Sequence, residues 1–135
     1  AAAIVPDPGL RQRLLATRGD LVPGPGPLNY IASEVAFNDR SDWVPSLLGI
    51  LRRNYHTVDT VAGARMAKMD ATYLAWLNVE DLGLSDLDAH FESHGLGLSN
   101  GAPFGHPGYV RFNFAAPKPV LEEGLRRLAT ALKSP

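Results

Sequence analysis

The hydrophobic period of this chain changes near its middle, and that change restricts the available folds more than any other feature. In residues 8–18, Leu10, Leu14 and Leu15 fall at helical spacing and the pattern stops at Gly19, a usual helix terminator. The run "VPGPGPLN" (22–29) alternates proline with glycine, which excludes regular hydrogen-bonded structure and predicts a loop. Residues 29–38 read as a second helix. Ser41 and Asp42 can cap a third, with Pro45 near its first turn, and Trp43, Leu47, Ile50, Leu51, Val58 and Val61 extend it to about residue 60.

From residue 64 the pattern becomes that of a sheet. "ARMAKMDATYLAWLNV" (64–79) concentrates β-branched and aromatic residues and predicts a strand. Ser85 opens a short helix with Asp88 three residues on, Leu84, Leu87 and Phe91 to one side, and Gly95 beyond its end. "LGLSNGAPFGHPG" (96–108) allows a short strand at most before a glycine-rich loop. The strand in "GYVRFNFAAPKP" (108–119) comes next, then a helix over 118–133 with a stripe of Leu121, Leu125, Leu128 and Leu132. Glu122 and Glu123 near its start and Lys133 near its end suit the helix dipole.

The order β–α–β–β–α in the second half predicts an α+β unit, helices on one face of a largely antiparallel sheet. The first half is mostly helical apart from the strand-like "AAAIVP" (1–6), for which no partner strand is visible. That apolar start reads like a chain entered midway. An unpaired edge and an uncovered apolar face are then expected to promote self-association or disorder.

With 135 residues, 45% apolar and 20% charged, the composition is that of an ordinary globular domain. Thirteen basic and fourteen acidic side chains leave a formal charge of −1, which argues against nucleic acid or an anionic membrane as partner. The absence of cysteine removes disulfide and thiolate-metal chemistry and is compatible with a cytoplasmic address. No apolar run approaches the roughly 20 residues that span a bilayer.

"GLSNG" (97–101) matches the nucleophile-elbow pattern with Ser99 in the nucleophile position. That chemistry needs a helix directly after the turn, and the glycines and prolines at 101–108 prevent one, so the run reads as a turn. His90 and His94 lie four apart on the predicted helix, but Glu92 is off the zincin spacing and no third ligand is evident. They read as surface histidines, His56 and His106 as surface or loop residues, and no metal is expected. Trp43 and Trp76 read as core aromatics. Arg111 stands apart: a permanent cation within a sheet-forming run. Its planar fork suits a carboxylate ligand, and an internal ion pair with Asp70, Asp88 or Glu92 is the alternative.

Three segments taken together, "LVPGPGPLNYIASEVAF", "ATYLAWLNVEDLGL" and "GLGLSNGAPFGHPGYVRFNFAAPKPVLEEGLRRLATAL", resemble the C-terminal part of fold-type I pyridoxal-phosphate enzymes. The resemblance is to the cystathionine β-lyase-like (C–S lyase) branch of the class I/II aminotransferases and extends over essentially the whole chain. Asn78 stands where many members have aspartate.

The resemblance implies a remnant of the large cofactor-binding domain over residues 1–40, a connecting long helix over 41–61 and the small domain over 62–135. It implies that Arg111 binds the α-carboxylate of an amino-acid substrate, with Asn113 on the same strand face. It also implies that the loop of Pro27, Leu28 and Asn29 approaches the active site of the neighbouring subunit in a cytoplasmic homodimer. Pyridoxal phosphate is held in this family as a Schiff base on a lysine. That lysine lies upstream of the stretch resembled by "AAAIV", and Lys68, Lys118 and Lys133 are in other contexts. The piece is therefore expected to hold no cofactor, to contain no catalytic residue and to be inactive alone. The intact enzyme would catalyse β-elimination from a cysteine S-conjugate or transamination. A free-standing, non-catalytic binding domain of the same fold is the alternative.

Overall fold

The computed structural model describes residues 3–20 and 23–133, and the chain divides into two compact units, Ala1–Ser41 and Asp42–Pro135. The first contains helices α1 (Pro8–Arg18) and α2 (Pro27–Asn38). Asp7 caps α1 by accepting from the Leu10 amide, and Pro8 occupies the first helical position, where its missing N–H costs nothing. Neither helix contains a buried residue. Two sequence expectations change here. Residues 3–7 of the strand-like start carry no regular secondary structure and pair with no strand among the described residues, while Ala1 and Ala2 lie outside those residues. Pro27, Leu28 and Asn29, expected in a loop, form the first turn of α2, since proline at a helix start is already set to helical φ.

The second unit begins with α3 (Trp43–Ala62), followed by β1 (Leu74–Asn78), α4 (Leu87–Ser93), β2 (Ser99–Asn100), β3 (Tyr109–Asn113) and α5 (Lys118–Ala131). The strands pair antiparallel in the order β1–β3–β2. Side chains alternate across the sheet, so Ala75, Leu77, Val110 and Phe112 all point into the core. Val58 and Ala62 of α3, Leu87 and Phe91 of α4, and Leu121, Leu125, Leu128 and Ala131 of α5 complete that core. Each large apolar side chain buried there contributes about 1.5–3 kcal/mol.

The expected strand over 64–79 contracts to β1. Met66 makes only an isolated bridge to Leu77, and Thr72 adopts φ 73°, which breaks an extended path before β1 begins. The cap of α4 is Asp86 rather than Ser85: its carboxylate accepts from the Ala89 amide at 2.9 Å. Asp86 is the residue three before that orphan donor. Trp43, read as core, is exposed, because α3 buries residues only from Asn54 onward.

Two polar clamps tie helices to neighbouring connections of the second unit. Asn54 on α3 is buried, and its Nδ2 donates to the carbonyls of Phe114 at 2.8 Å and Ala116 at 3.3 Å, tying α3 to the β3–α5 connection. On α5, Arg127 shares Glu123 with Arg126 and reaches across to the carbonyl of Gly95 at 3.0 Å. Gly95 fits both demands of that corner. It adopts φ 72°, the left-handed region that favours glycine, and it leaves room for the Arg127 guanidinium beside its own carbonyl.

Candidate functional site

The alternation that sends Val110 and Phe112 inward sends Tyr109, Arg111 and Asn113 to the opposite face of β3. The buried residues of α3, α4 and α5 cluster instead with Ala75, Leu77, Val110 and Phe112, the inward side chains of the sheet. Register does the rest: Arg111 is opposite Trp76 on β1 and opposite Ser99 on β2, so it occupies the middle of the three-stranded face. A cation in a sheet-forming run is thus explained by the pleat.

The half-buried Arg111 donates from Nη2 to Ser99 Oγ at 3.1 Å, and its guanidinium carbon lies 5.1 Å from the centre of the Phe104 ring. Phe104 meets Trp76 edge-on at 5.9 Å, and Trp76 stacks on Tyr109 at 5.6 Å with 20° between the planes. Tyr109 in turn accepts from Asn78 Nδ2 at 3.1 Å. Trp76 is therefore corrected from a core aromatic to a partly exposed member of the open face. His106, read as a loop residue, sits edge-on to Trp76 at 6.1 Å.

The loop carrying Phe104 is closed by backbone bonds centred on Gly101. Its amide donates to Tyr109 O at 2.8 Å, and its carbonyl accepts from Phe104 at 2.8 Å and His106 at 3.1 Å. A Cβ at Gly101 would lie 2.2 Å from His106 O and 2.7 Å from Tyr109 O, so only glycine fits. The chain leaves β2 directly into this loop, whose one helical element is a single 3-10 turn, Ala102–Phe104, and no α-helix begins there. Ser99 is spent on Arg111, in keeping with the turn reading of "GLSNG".

Among the described residues no carboxylate pairs with Arg111. The ion pairs are Arg65–Asp81, Lys118–Glu122 and Glu123 with Arg126 and Arg127. Asp70 and Glu92 are absent from that set, and Asp88 instead accepts from Asn100 Nδ2 at 3.2 Å. Serine takes one of the five guanidinium donors, leaving four. Asn113 follows Arg111 on the same face, but its Oδ1 accepts from the Ala115 amide at 2.9 Å, which leaves only its amide nitrogen for a ligand. Pro27, Leu28 and Asn29 lie in the other unit, in the exposed first turn of α2.

His90 and His94 are half-buried rather than surface residues. His90 Nε2 is 3.0 Å from Ala131 O on α5, and His94 Nδ1 is 2.9 Å from His90 O, so both rings bind backbone. No group of three possible metal ligands gathers among the described residues. Lys68, Lys118 and Lys133 are all exposed. Lys118 pairs with Glu122 at the start of α5, the helix whose Gly124 packs on Phe112, the opposite side of the sheet from Arg111.

No family model matches the sequence. Among curated proteins, a putative cystathionine β-lyase of Mycobacterium leprae is 34% identical over 131 residues, covering 81% of this chain and 33% of the relative. Cystathionine β-lyase of Corynebacterium glutamicum is 31% identical, covering 78% of this chain and 30% of its own length. Among solved structures, OvoB superposes with a TM-score of 0.83 at 34% identity, over 98% of this chain and 36% of that one. Cystalysin of Treponema denticola, a structure containing pyridoxal 5'-phosphate, superposes with a TM-score of 0.74 at 27% identity, over 96% and 36%. The chain spans about a third of the length of these relatives. Its fold is thus that of the C-terminal portion of fold-type I pyridoxal-phosphate enzymes. Within that class the chain belongs to the cystathionine β-lyase and C–S lyase-like aminotransferases, corresponding to their C-terminal third.

Proposed function

We propose that this chain is the carboxylate-gripping portion of a pyridoxal-phosphate enzyme acting on amino acids, a cystathionine β-lyase-like C–S lyase or an aminotransferase. The observation that carries the reading is Arg111, held at the centre of an open sheet face with no acidic partner among the described residues. A guanidinium with unspent donors binds a carboxylate through two parallel hydrogen bonds, which fixes the plane and direction of the acid as well as its position. Asn113 adds its amide nitrogen on the same face. Held by its acid group, an amino acid has the direction of its C–Cα axis fixed, and a second attachment through its amino group would then fix the Cα substituents, as a stereospecific bond cleavage at Cα requires.

The cofactor, when bound in the intact enzyme, supplies an electron sink for carbanion chemistry at Cα. In the family a lysine holds it; the lysines of this chain, Lys68, Lys118 and Lys133, are all exposed, so on this reading the group is held by residues outside this chain. On this reading the 135-residue piece is inactive alone. Residues 1–40 are then a remnant of the large domain, 41–61 the connecting helix and 62–135 the small domain. Pro27, Leu28 and Asn29 would approach the partner subunit's site in a homodimer, and the enzyme would be cytoplasmic. The cystathionine β-lyase names among the relatives favour elimination over transamination.

The test is to add pyridoxal phosphate to this chain and to a longer product of the same gene that includes the upstream region. Visible absorbance retained by the longer protein alone after desalting supports the reading. Retention by this chain, or by neither in the presence of an upstream region, contradicts it. An independent start codon immediately before residue 1 would instead favour a non-catalytic binding domain of the same fold.

A further inference from the structure

Arginine has many rotamers, and holding its head group in one place on an open sheet face requires more than the strand that bears it. Two contacts do this for Arg111, and both come from one short stretch of chain. Ser99 Oγ accepts from Nη2 at 3.1 Å, and the Phe104 ring lies 5.1 Å from the guanidinium carbon. Phe104 is 54% exposed, a poor position for an aromatic ring unless something fixes it there. The Gly101-centred loop fixes it on one side and the edge-on contact with Trp76 on the other.

We infer that Ser99 and Phe104 are positioning residues that hold the Arg111 guanidinium ready for a carboxylate. The inference deepens the proposed function and rests on it only for the identity of the ligand. Ser99 restrains Arg111 through one hydrogen bond, while Phe104 offers the flat guanidinium an electron-rich ring and leaves its N–H donors unspent. An acidic residue in either position would occupy those donors. Serine and phenylalanine restrain the cation without neutralising it, which suits a group kept for an external anion. Gly101 belongs to the same device, since its lack of a side chain lets the loop close tightly enough to bring Phe104 within reach.

The experiment uses 15N relaxation of the Arg111 Nε–Hε group in this chain, with the backbone amide spectrum as the check on folding. Wild type should show a restrained side chain. Phe104→Leu and Ser99→Ala should each lower its order parameter below about 0.6 while the amide spectrum is kept. Phe104→Tyr and Ser99→Thr, which preserve the ring and the hydroxyl, should restore it. A mobile Arg111 in wild type, or one equally restrained in Phe104→Leu and Ser99→Ala, overturns the inference. Should Phe104→Leu lose its amide dispersion, the Ser99→Ala and Ser99→Thr pair decides alone. Titration with L-alanine, using L-alaninamide as control, separates this from the functional reading. A restrained Arg111 that ignores the acid would sink the carboxylate role and leave the positioning role intact.

Discussion

Asn54 shows how one polar side chain can fix the geometry of a fold. Among the described residues it is the one polar member of the buried set, and its amide holds the carbonyls of Phe114 and Ala116 just where the chain leaves β3 for α5. Replacing it with alanine strands both acceptors away from a donor, so Asn54→Ala should lower unfolding stability by about 1–3 kcal/mol in urea titration. An unchanged midpoint would mean that the clamp is dispensable. Nothing in the sequence marks this residue. It interrupts the apolar face of α3 as an ordinary helical asparagine would, and its partners are sixty and sixty-two positions away. Arg111 is more legible, because a cation inside a sheet-forming run demands an explanation. Its serine and phenylalanine contacts are not, since they depend on the β2–β3 register and on a loop closed by backbone bonds.

At the scale of elements, α5 joins sequence and structure most directly. Its leucine stripe predicts the buried side, and Leu121, Leu125 and Leu128 are buried there with Ala131, while Leu132 stays partly covered. On its exposed side Glu123 accepts from Arg126 and Arg127, and those two hydrogen-bonded partners lower its carboxyl pKa to about 2. A depressed carboxylate contributes stability that is fully present above its unfolded value, about 4.3, and is lost as pH falls through the folded one. Thermal melts of wild type and Glu123→Gln should therefore differ at neutral pH and converge as pH drops from about 4.3 to about 2. A gap that persists at the acid end would contradict the account. The less legible elements are those set by long-range contacts. Trp76 has the composition of a core aromatic, but alternation places it on the open face once Ala75 and Leu77 take the inner one. The segment before β1 has strand composition, yet Thr72 turns the backbone aside.

At the scale of the whole molecule the two units are unequal in a telling way. The second owns a continuous core built from three helices and a sheet. The first has none among its described residues: α1 and α2 bury no residue, and Leu10, Leu14, Leu28, Ile31, Val35 and Phe37 are exposed. Apolar surface of that extent calls for a covering partner. Together with relatives about three times as long, it supports reading residues 1–40 as part of a larger domain. The central claim is that Arg111 grips the acid group of an amino-acid substrate. It is tested most directly by comparing kcat/KM for wild type and Arg111→Ala in the longer enzyme that contains this segment. Losing charge-assisted hydrogen bonds worth about 1.5–3 kcal/mol should lower kcat/KM about 10- to 150-fold, with an α-amino amide barely affected. Equal kcat/KM in the two proteins would contradict it.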